Sequence, residues 1–249
     1  MPITAFDLTT IEIITIFAAY LFAATAKGVT GLGFSTTCLP ILVFTIGLKD
    51  ALPLVLIPSI CSNLVVMRQV GRFKSSVLRF WPMLLATIPG LILGLWALSG
   101  IDGERVKVVF GLVLLIWCGF SFLKPDLRLP DGLEARLAPV SGICTGFLNG
   151  LTGSQVMPVV PFLMSLQLGR NAFIQAANCS FTMSSLIMMA GLSHLGLFTG
   201  VDVVISAAGV VCVFFGVKFG TSIREHLSER AFRSIILAML TMMSISLLT

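Results

Sequence analysis

The sequence has 249 residues, of which 57% are hydrophobic and only 11% are charged. A soluble domain carries about a quarter charged residues, so this chain has too little polar surface to cover a globule. Its 11 prolines and 23 glycines are scattered through apolar runs, which predicts interrupted helices rather than the short alternating strands of a barrel. The formal charge of +5 comes mainly from short connections, where the positive-inside rule places cations, so we expect the lipid bilayer and no nucleic acid as a partner.

Charge-poor segments follow one another along the whole chain. They cover residues 13–26, 34–48, 51–67, 80–101, 108–123, 137–169, 171–193, 203–217 and 234–249. An α-helix needs about 20 apolar residues to cross a membrane, and most of these segments approach or exceed that length. We therefore predict an all-α polytopic membrane protein.

The charges between these segments predict the topology. Connection 68–79 carries Lys and Arg but no acid, the linker contains Lys124, Arg128 and Arg136, and connection 218–233 is again rich in Lys and Arg. These three are expected in the cytoplasm. Connection 102–107 is balanced and residues 193–202 contain no Lys or Arg, so both are expected outside. The pattern predicts a multi-pass protein of the bacterial inner membrane with both termini in the periplasm.

Two regions have lengths that do not fit simple crossings. Residues 137–169 are too many for one crossing and too few for two crossings with a turn, and residues 13–48 have the same problem around Lys27. We expect discontinuous or hairpin segments built from half-helices of about 14 residues, each reaching ~21 Å. Such backbone is tolerated at membrane depth only where protein or a water-filled cavity satisfies it.

The two regions are also alike in sequence. KGVTG at 27–31 matches NGLTG at 149–153, and the spacing from Pro40 to Lys49 matches that from Pro161 to Arg170. Further matches follow in the same order: Gly90 and Gly94 with Gly216 and Gly220, and Glu104–Arg105 with Glu229–Arg230. The ordered matches predict an internal duplication.

The duplication divides the chain into a first membrane repeat at 1–123, a cytoplasmic linker at 124–136 and a second membrane repeat at 137–249. Each repeat is expected to be a discontinuous or hairpin helix pair plus three transmembrane helices. The charge pattern starts the two repeats on opposite sides of the membrane, which predicts inverted-topology repeats. This architecture recurs in secondary transporters, whose substrates bind where discontinuous helices meet near the midplane.

The two breaks carry the candidate substrate site. Glycine lets backbone approach a ligand, and a half-helix that begins after a break presents unpaired N–H groups and a positive dipole end, which favour an anion. Lys27 would add a full positive charge. The candidate substrate-binding residues are Lys27, Gly28, Thr30, Gly31, Gly33, Ser35 and Thr36 at the first break, and Asn149, Gly150, Thr152, Gly153, Ser154 and Gln155 at the second.

Structural roles are the alternatives at these positions. Glycines in membrane helices often only allow close packing, and Lys27 could snorkel or pair with a carbonyl. Asn63 and Asn178 lie in apolar segments, where an amide must find a partner; each either joins helices or lines the site. The glycine pairs at 90/94 and 216/220 are expected to pack helices, within one chain or between the protomers of a possible homodimer.

Several chemical motifs are missing from the sequence. The Gly28–Gly33 spacing lacks the ending of a P-loop, and there is no HExxH or nucleophile elbow. The six cysteines lie in apolar segments without CxxC spacing. We therefore expect no enzyme, no metal and no cofactor.

The run AKGVTGLG at 26–33 leading to Pro40 resembles the signature of the TauE/SafE sulfite exporter family, also called the toluene sulfonate uptake permease family. TGFLNGLTG at 145–153 leading to Pro161 is similar to its second signature. The resemblance covers nearly the whole chain and implies transport of sulfite, sulfonates or other sulfur-containing organic anions. Ser154 and Gln155 depart from the usual extra glycines of the second signature.

The prediction is a secondary, non-ATP-driven transporter of sulfite or small organosulfonate anions, working by alternating access at a central site between the repeats. The near absence of carboxylates inside the segments favours uncoupled export driven by the membrane potential, with Glu12 as the one uncertain position. The alternatives are a carrier of another small anion, such as a carboxylate or sulfate, and a non-transporting membrane subunit.

Overall fold

The computed structural model describes residues 8–123, 128–130 and 132–226, together with positions 238, 241, 244 and 245. In chain order the helices are α1 (Thr10–Thr30), α2 (Phe34–Ile46), α3 (Leu48–Val70), α4 (Phe73–Gly100), α5 (Gly103–Leu123), α6 (Glu134–Thr152), α7 (Val159–Ser165), α8 (Arg170–His194) and α9 (Gly200–His226). No strand occurs within these ranges, so the all-α prediction is confirmed. The pair Glu229–Arg230, Lys124, both predicted terminal positions and most of segment 234–249 lie outside the described residues.

Within the described residues, six helices are long and apolar enough to cross a membrane, namely α1, α3, α4, α5, α8 and α9. Large apolar side chains stay exposed on their outer faces, among them Trp96 on α4 and Phe215 on α9. In water such faces would be unfavourable, whereas lipid tails solvate them. The chain is therefore a multi-pass membrane protein.

Each of the two predicted discontinuous regions consists of a longer helix followed by a shorter one. α1 has 21 residues and α2 has 13, while α6 has 19 and α7 has 7. The expectation of half-helices of about 14 residues is met only by α2: α7 is shorter, and α1 and α6 are longer. The reason is that charged residues continue these helices: Lys27 lies in the last turn of α1 and Glu134 in the first turn of α6.

α1 and α6 end in the same way. Gly31 has φ +83° and its N–H donates to the Lys27 carbonyl at 2.7 Å. Gly153 has φ +76° and its N–H donates to the Asn149 carbonyl at 2.7 Å. Glycine adopts this left-handed conformation without the steric penalty of a Cβ, so the matching KGVTG and NGLTG sequences dictate matching helix ends.

Glycines bring two pairs of helices into backbone contact. On α4, a Cβ added to Gly94 would overlap the Phe147 carbonyl of α6 and lie 2.9 Å from the Gly150 Cα. On α9, a Cβ added to Gly220 would overlap the Thr25 carbonyl of α1 and lie 3.0 Å from the Gly28 Cα. The glycine pairs at 90/94 and 216/220 therefore pack helices, as predicted, and the helices they join belong to one chain. The possible homodimer stays a prediction.

The two halves of the sequence interlock. α4 packs on α6 and α8, α9 packs on α1 and α3, and α3 packs on α8. One large buried cluster accordingly includes residues of α1, α2, α3, α4, α8 and α9. α3 and α8 meet beside the two helix breaks, since Asn63 of α3 binds Lys27 and α8 bonds to Gly31 and Gln155.

A proline in α3 joins three helices through one carbonyl group. Pro58 has no N–H, so the Leu54 carbonyl four residues earlier loses its helical donor. The Tyr20 hydroxyl of α1 donates to this carbonyl at 2.7 Å, and the Ser206 hydroxyl of α9 donates to it at 3.0 Å. These bonds fix α1 and α9 against α3 next to the site.

Candidate functional site

The site is built around a lysine buried at the end of α1. Lys27 is 1% exposed, and its Nζ donates a hydrogen bond to Oδ1 of Asn63 on α3. No carboxylate of the described residues lies within ion-pair distance of this Nζ. Because a buried ammonium group is costly without an opposite charge, this position suits an anionic ligand.

The first turn of α2 adds backbone donors beside Lys27. Gly33 has φ +89° and caps α2, whose first backbone hydrogen bond runs from the Thr37 N–H to the Gly33 carbonyl at 3.0 Å. The N–H groups of the three preceding residues have no acceptor within the helix. A helix N-terminus with free N–H groups binds anions through these donors and its dipole.

A small cavity lies between these groups. Its lining residues are Lys27, Gly33, Phe34, Ser35, Thr36, Ser59, Asn63, Gln155, Val156 and Phe181. Its volume of about 10 Å³ is room for about one water molecule, so a larger ligand requires the helices to separate. A Cβ added to Gly33 would meet no atom within 4 Å, which places open space directly against this backbone.

Hydroxyl groups surround the cavity on the α2 and α3 sides. The Ser35 and Ser59 hydroxyls lie 2.9 Å apart, and Ser59 is one helical turn before Asn63 on α3. The Asn63 Nδ2 has no partner in the structure and is a free donor at the cavity wall. Together with Lys27, these groups offer the donors that a tetrahedral oxyanion accepts.

The second break reaches the cavity through few residues. The Gln155 Nε2 donates to the Ser185 hydroxyl of α8 at 2.8 Å, which holds this side chain at the cavity. Ser154 is buried and its N–H donates to the Thr152 hydroxyl at 3.3 Å. The two predicted breaks therefore contribute unequally, and the second break supplies two lining residues, Gln155 and Val156, as many as α3 supplies.

The remaining predicted residues shape the breaks or pack helices. Thr30 donates to the Leu32 carbonyl at 2.7 Å and closes the end of α1. A Cβ on Gly31 would lie 3.0 Å from Ile174, and one on Gly153 would lie 2.7 Å from Leu39. None of these residues lines the cavity. The predicted residues outside the cavity lining are Gly28, Thr30, Gly31, Asn149, Gly150, Thr152, Gly153, Ser154 and Asn178.

The two asparagines separate into two roles. Asn63 lines the cavity and binds Lys27. Asn178 instead donates to the Gly31 carbonyl at 3.1 Å and to the Ile174 carbonyl at 2.8 Å, so it braces the first break from α8. Asn178 therefore joins helices, whereas a substrate-site role for Asn63 stays a prediction.

The model of the sulfite exporter TauE/SafE family matches residues 16–247. The chain belongs to the TauE/SafE sulfite exporter family. Comparison with curated proteins and with solved structures gave no significant match. As a member of the TauE/SafE family the chain belongs among membrane transporters, in agreement with its six candidate spans.

Four cavity residues of this TauE/SafE protein were missed by the sequence analysis: Phe34, Ser59, Val156 and Phe181. Phe34 and Val156 directly adjoin predicted site residues and could have been included on that ground. Ser59 had one signal, its spacing of one helical turn from Asn63, which puts both side chains on one face of α3. Phe181 had none, since an apolar residue in an apolar helix carries no mark of a site.

Proposed function

We propose that this TauE/SafE protein exports a small sulfur-containing oxyanion, sulfite or an organosulfonate, which binds in the cavity beside Lys27. The observation that carries the proposal is the buried Lys27 ammonium group, whose partner among the described residues is a neutral amide. An anion would supply the missing opposite charge. The first turn of α2 and the hydroxyls of Ser35 and Ser59 would supply hydrogen bonds.

Alternating access between inverted repeats is the mechanism we infer. It is supported by the matching ends of α1 and α6. It is also supported by reciprocal packing between the halves of the sequence, in which α4 packs on α6 and α9 packs on α1. In this arrangement Lys27 and Asn149 occupy equivalent positions. The cavity, which holds about one water molecule, would represent a substrate-free stage. Separation of the helices would widen it toward one side at a time.

Uncoupled export follows from the distribution of carboxylates. Proton-coupled carriers use carboxylates inside the membrane, and the Glu12 carboxylate instead accepts hydrogen bonds from the Thr9 N–H at 2.7 Å and hydroxyl at 2.8 Å. This is a capping box at the exposed start of α1. The membrane potential alone is worth about 2.3 kcal/mol per charge per 100 mV and drives an anion outward.

Competition binding to the purified protein tests the substrate class. We expect sulfite and methanesulfonate to bind and to compete with each other, and sulfate and acetate to compete weakly. Lys27→Ala should abolish binding, while Lys74→Ala, which removes the same charge from an exposed position, should leave it unchanged. Preferred binding of acetate or sulfate would favour the other carriers, and no binding of any anion would favour a non-transporting subunit.

A further inference from the structure

A row of polar side chains without partners runs along α6. Ser141, Thr145 and Asn149 are spaced four residues apart, so they lie on one face of the helix. They are 6%, 1% and 1% exposed, and the Ser141 hydroxyl, the Thr145 hydroxyl and both polar atoms of the Asn149 amide have no hydrogen-bond partner in the structure. Buried polar groups are almost always satisfied, so a row of this kind is unusual on a helix face that only packs.

A second row with the same property lies on α8. Ser180 and Ser184 are four residues apart, 1% and 0% exposed, and neither hydroxyl has a partner. This row is separate from the face of α8 that reaches the breaks, where Asn178 donates to the Gly31 carbonyl of the first break and Ser185 accepts from Gln155 of the second.

The two rows lie at one depth because α6 and α8 both pack on α4. Gly146 of α6 lies against the Thr87 carbonyl, which puts Thr145 at the level of that turn. Gly191 of α8 lies against Leu95, so Ser184, two turns earlier, falls at the same level of α4. One hydrophobic cluster contains Ala138 of α6 and Ala177 of α8, one turn before each row.

The equivalent of α6 in the first half, α1, lacks the polar row. With KGVTG matched to NGLTG, the positions equivalent to Ser141, Thr145 and Asn149 are Ala19, Ala23 and Lys27. Ala19 and Ala23 are buried and apolar. The α6 row is therefore specific to the second half, and packing of a duplicated helix does not require it.

We propose that Ser141, Thr145, Asn149, Ser180 and Ser184 line a hydrated pathway that connects the Lys27 cavity to the membrane surface at which α6 and α8 begin. The proposal rests on the proposed transport function and assigns the route of the anion on that side. When α6 and α8 separate, water reaches the row. Water satisfies both atoms of the Asn149 amide, whereas an anion accepts only from its Nδ2.

The neutral row also accounts for how an anion moves along the pathway without being held in it. Hydroxyl and amide donors solvate an anion. Because these groups are neutral, they bind it weakly, and the full positive charge stays at Lys27. Conduction requires binding that is favourable enough to enter and weak enough to leave. The predicted cytoplasmic end of α6 makes this row the entry route for export.

Cysteine labelling tests the pathway without any substrate. In a variant lacking the six native cysteines we would introduce Ser141→Cys, Thr145→Cys or Ser184→Cys, and compare each with restored Cys144, which is exposed on the outer face of α6. A charged methanethiosulfonate reagent attacks the thiolate, which forms in water and not in lipid. We expect the row positions to react about tenfold faster than Cys144 or more. Equal or slower reaction at all three would overturn the pathway.

A second pair of variants covers the case in which cysteine disturbs the fold. Thr145→Val and Ser184→Ala should slow anion flux several-fold while methanesulfonate binding at Lys27 is retained. If the row is only dry packing, removing unpartnered hydroxyls raises the melting temperature and leaves the flux unchanged, which would contradict the proposal. Fast labelling in a protein that binds no anion would refute the proposed substrate and leave the hydrated pathway standing.

Discussion

The ammonium group of Lys27 and the amide oxygen of Asn63 form the one hydrogen bond that the structure records for this buried lysine. The relationship joins the end of α1 to the middle of α3 and leaves the positive charge without an opposite charge among the described residues. It also leaves the Asn63 Nδ2 free at the cavity wall. The pair therefore presents a charged and a neutral donor to the same small space.

Asn63→Asp should abolish anion binding and keep the fold. The new carboxylate would form an ion pair with Lys27 and repel an anionic ligand, since charges at this depth interact strongly. Asn63→Ser is the matched control, because it shortens the side chain without adding charge. Binding and melting temperature should be measured for both. Retained affinity in the aspartate variant would show that the ligand does not meet Lys27.

Gly33→Ala should weaken binding more than it weakens folding. Gly33 faces open space at the cavity, and its φ of +89° costs a non-glycine residue about 1–2 kcal/mol. Gly196, just after α8, also has a positive φ of +70°, meets no atom within 4 Å and lies outside the cavity lining. Its N–H donates to the Ser193 carbonyl and the Leu197 N–H donates to the Leu192 carbonyl, as at a left-handed helix end, so Gly196→Ala carries backbone strain of the same kind. If the two variants lost affinity equally, strain alone would account for the effect.

Gly94→Leu should lower the melting temperature or prevent folding. A side chain there would overlap the Phe147 carbonyl and force α4 away from α6, and overpacking typically costs about 1–3 kcal/mol or more. Gly119→Leu on α5 is the control, since a Cβ there meets nothing within 4 Å. A thermal unfolding scan in detergent compares them. Equal stability of both variants would disprove the close crossing.

The inverted topology predicts that positions 74 and 102 lie on opposite sides of the membrane. Lys74 begins α4 in a basic connection and Asp102 follows its end, so the 28-residue helix between them would carry the chain across. Labelling of Lys74→Cys only from the cytoplasm and of Asp102→Cys only from outside is expected. Cytoplasmic labelling of both chain termini would contradict the inverted repeats.

The sequence was sufficient for the features that depend on local chemistry. The glycines at 31 and 153 end helices because of their own backbone conformation, and Ser35 and Thr36 follow a break that the sequence locates. Lys27 was placed at the site because a charged side chain within an apolar segment needs a compensating partner, such as an anion, or a route to the membrane surface. These features need no knowledge of which helices are neighbours.

Features that depend on which helices are neighbours could not be predicted from the sequence. Close approach to a ligand and close approach to a helix both require glycine, so Gly28 and Gly150 were assigned to the substrate although α9 and α4 fill the space beside them. Ser59 and Phe181 enter the cavity through the packing of α3 and α8 around the break. α1 is longer than α2 because its helix continues through Lys27. The sequence analysis ended the first apolar segment at residue 26, before this charge, and so made that helix too short.

The most direct test of the central claim is anion efflux from proteoliposomes under an imposed membrane potential, negative inside, with the wild-type protein and Lys27→Ala. The account predicts saturable efflux of sulfite or methanesulfonate from the wild type that grows with the potential, persists without proton or sodium gradients, and is lost in Lys27→Ala but not in Lys74→Ala. Potential-independent flux, uphill uptake driven by a proton or sodium gradient at zero potential, or unchanged flux through the Lys27 variant would contradict it.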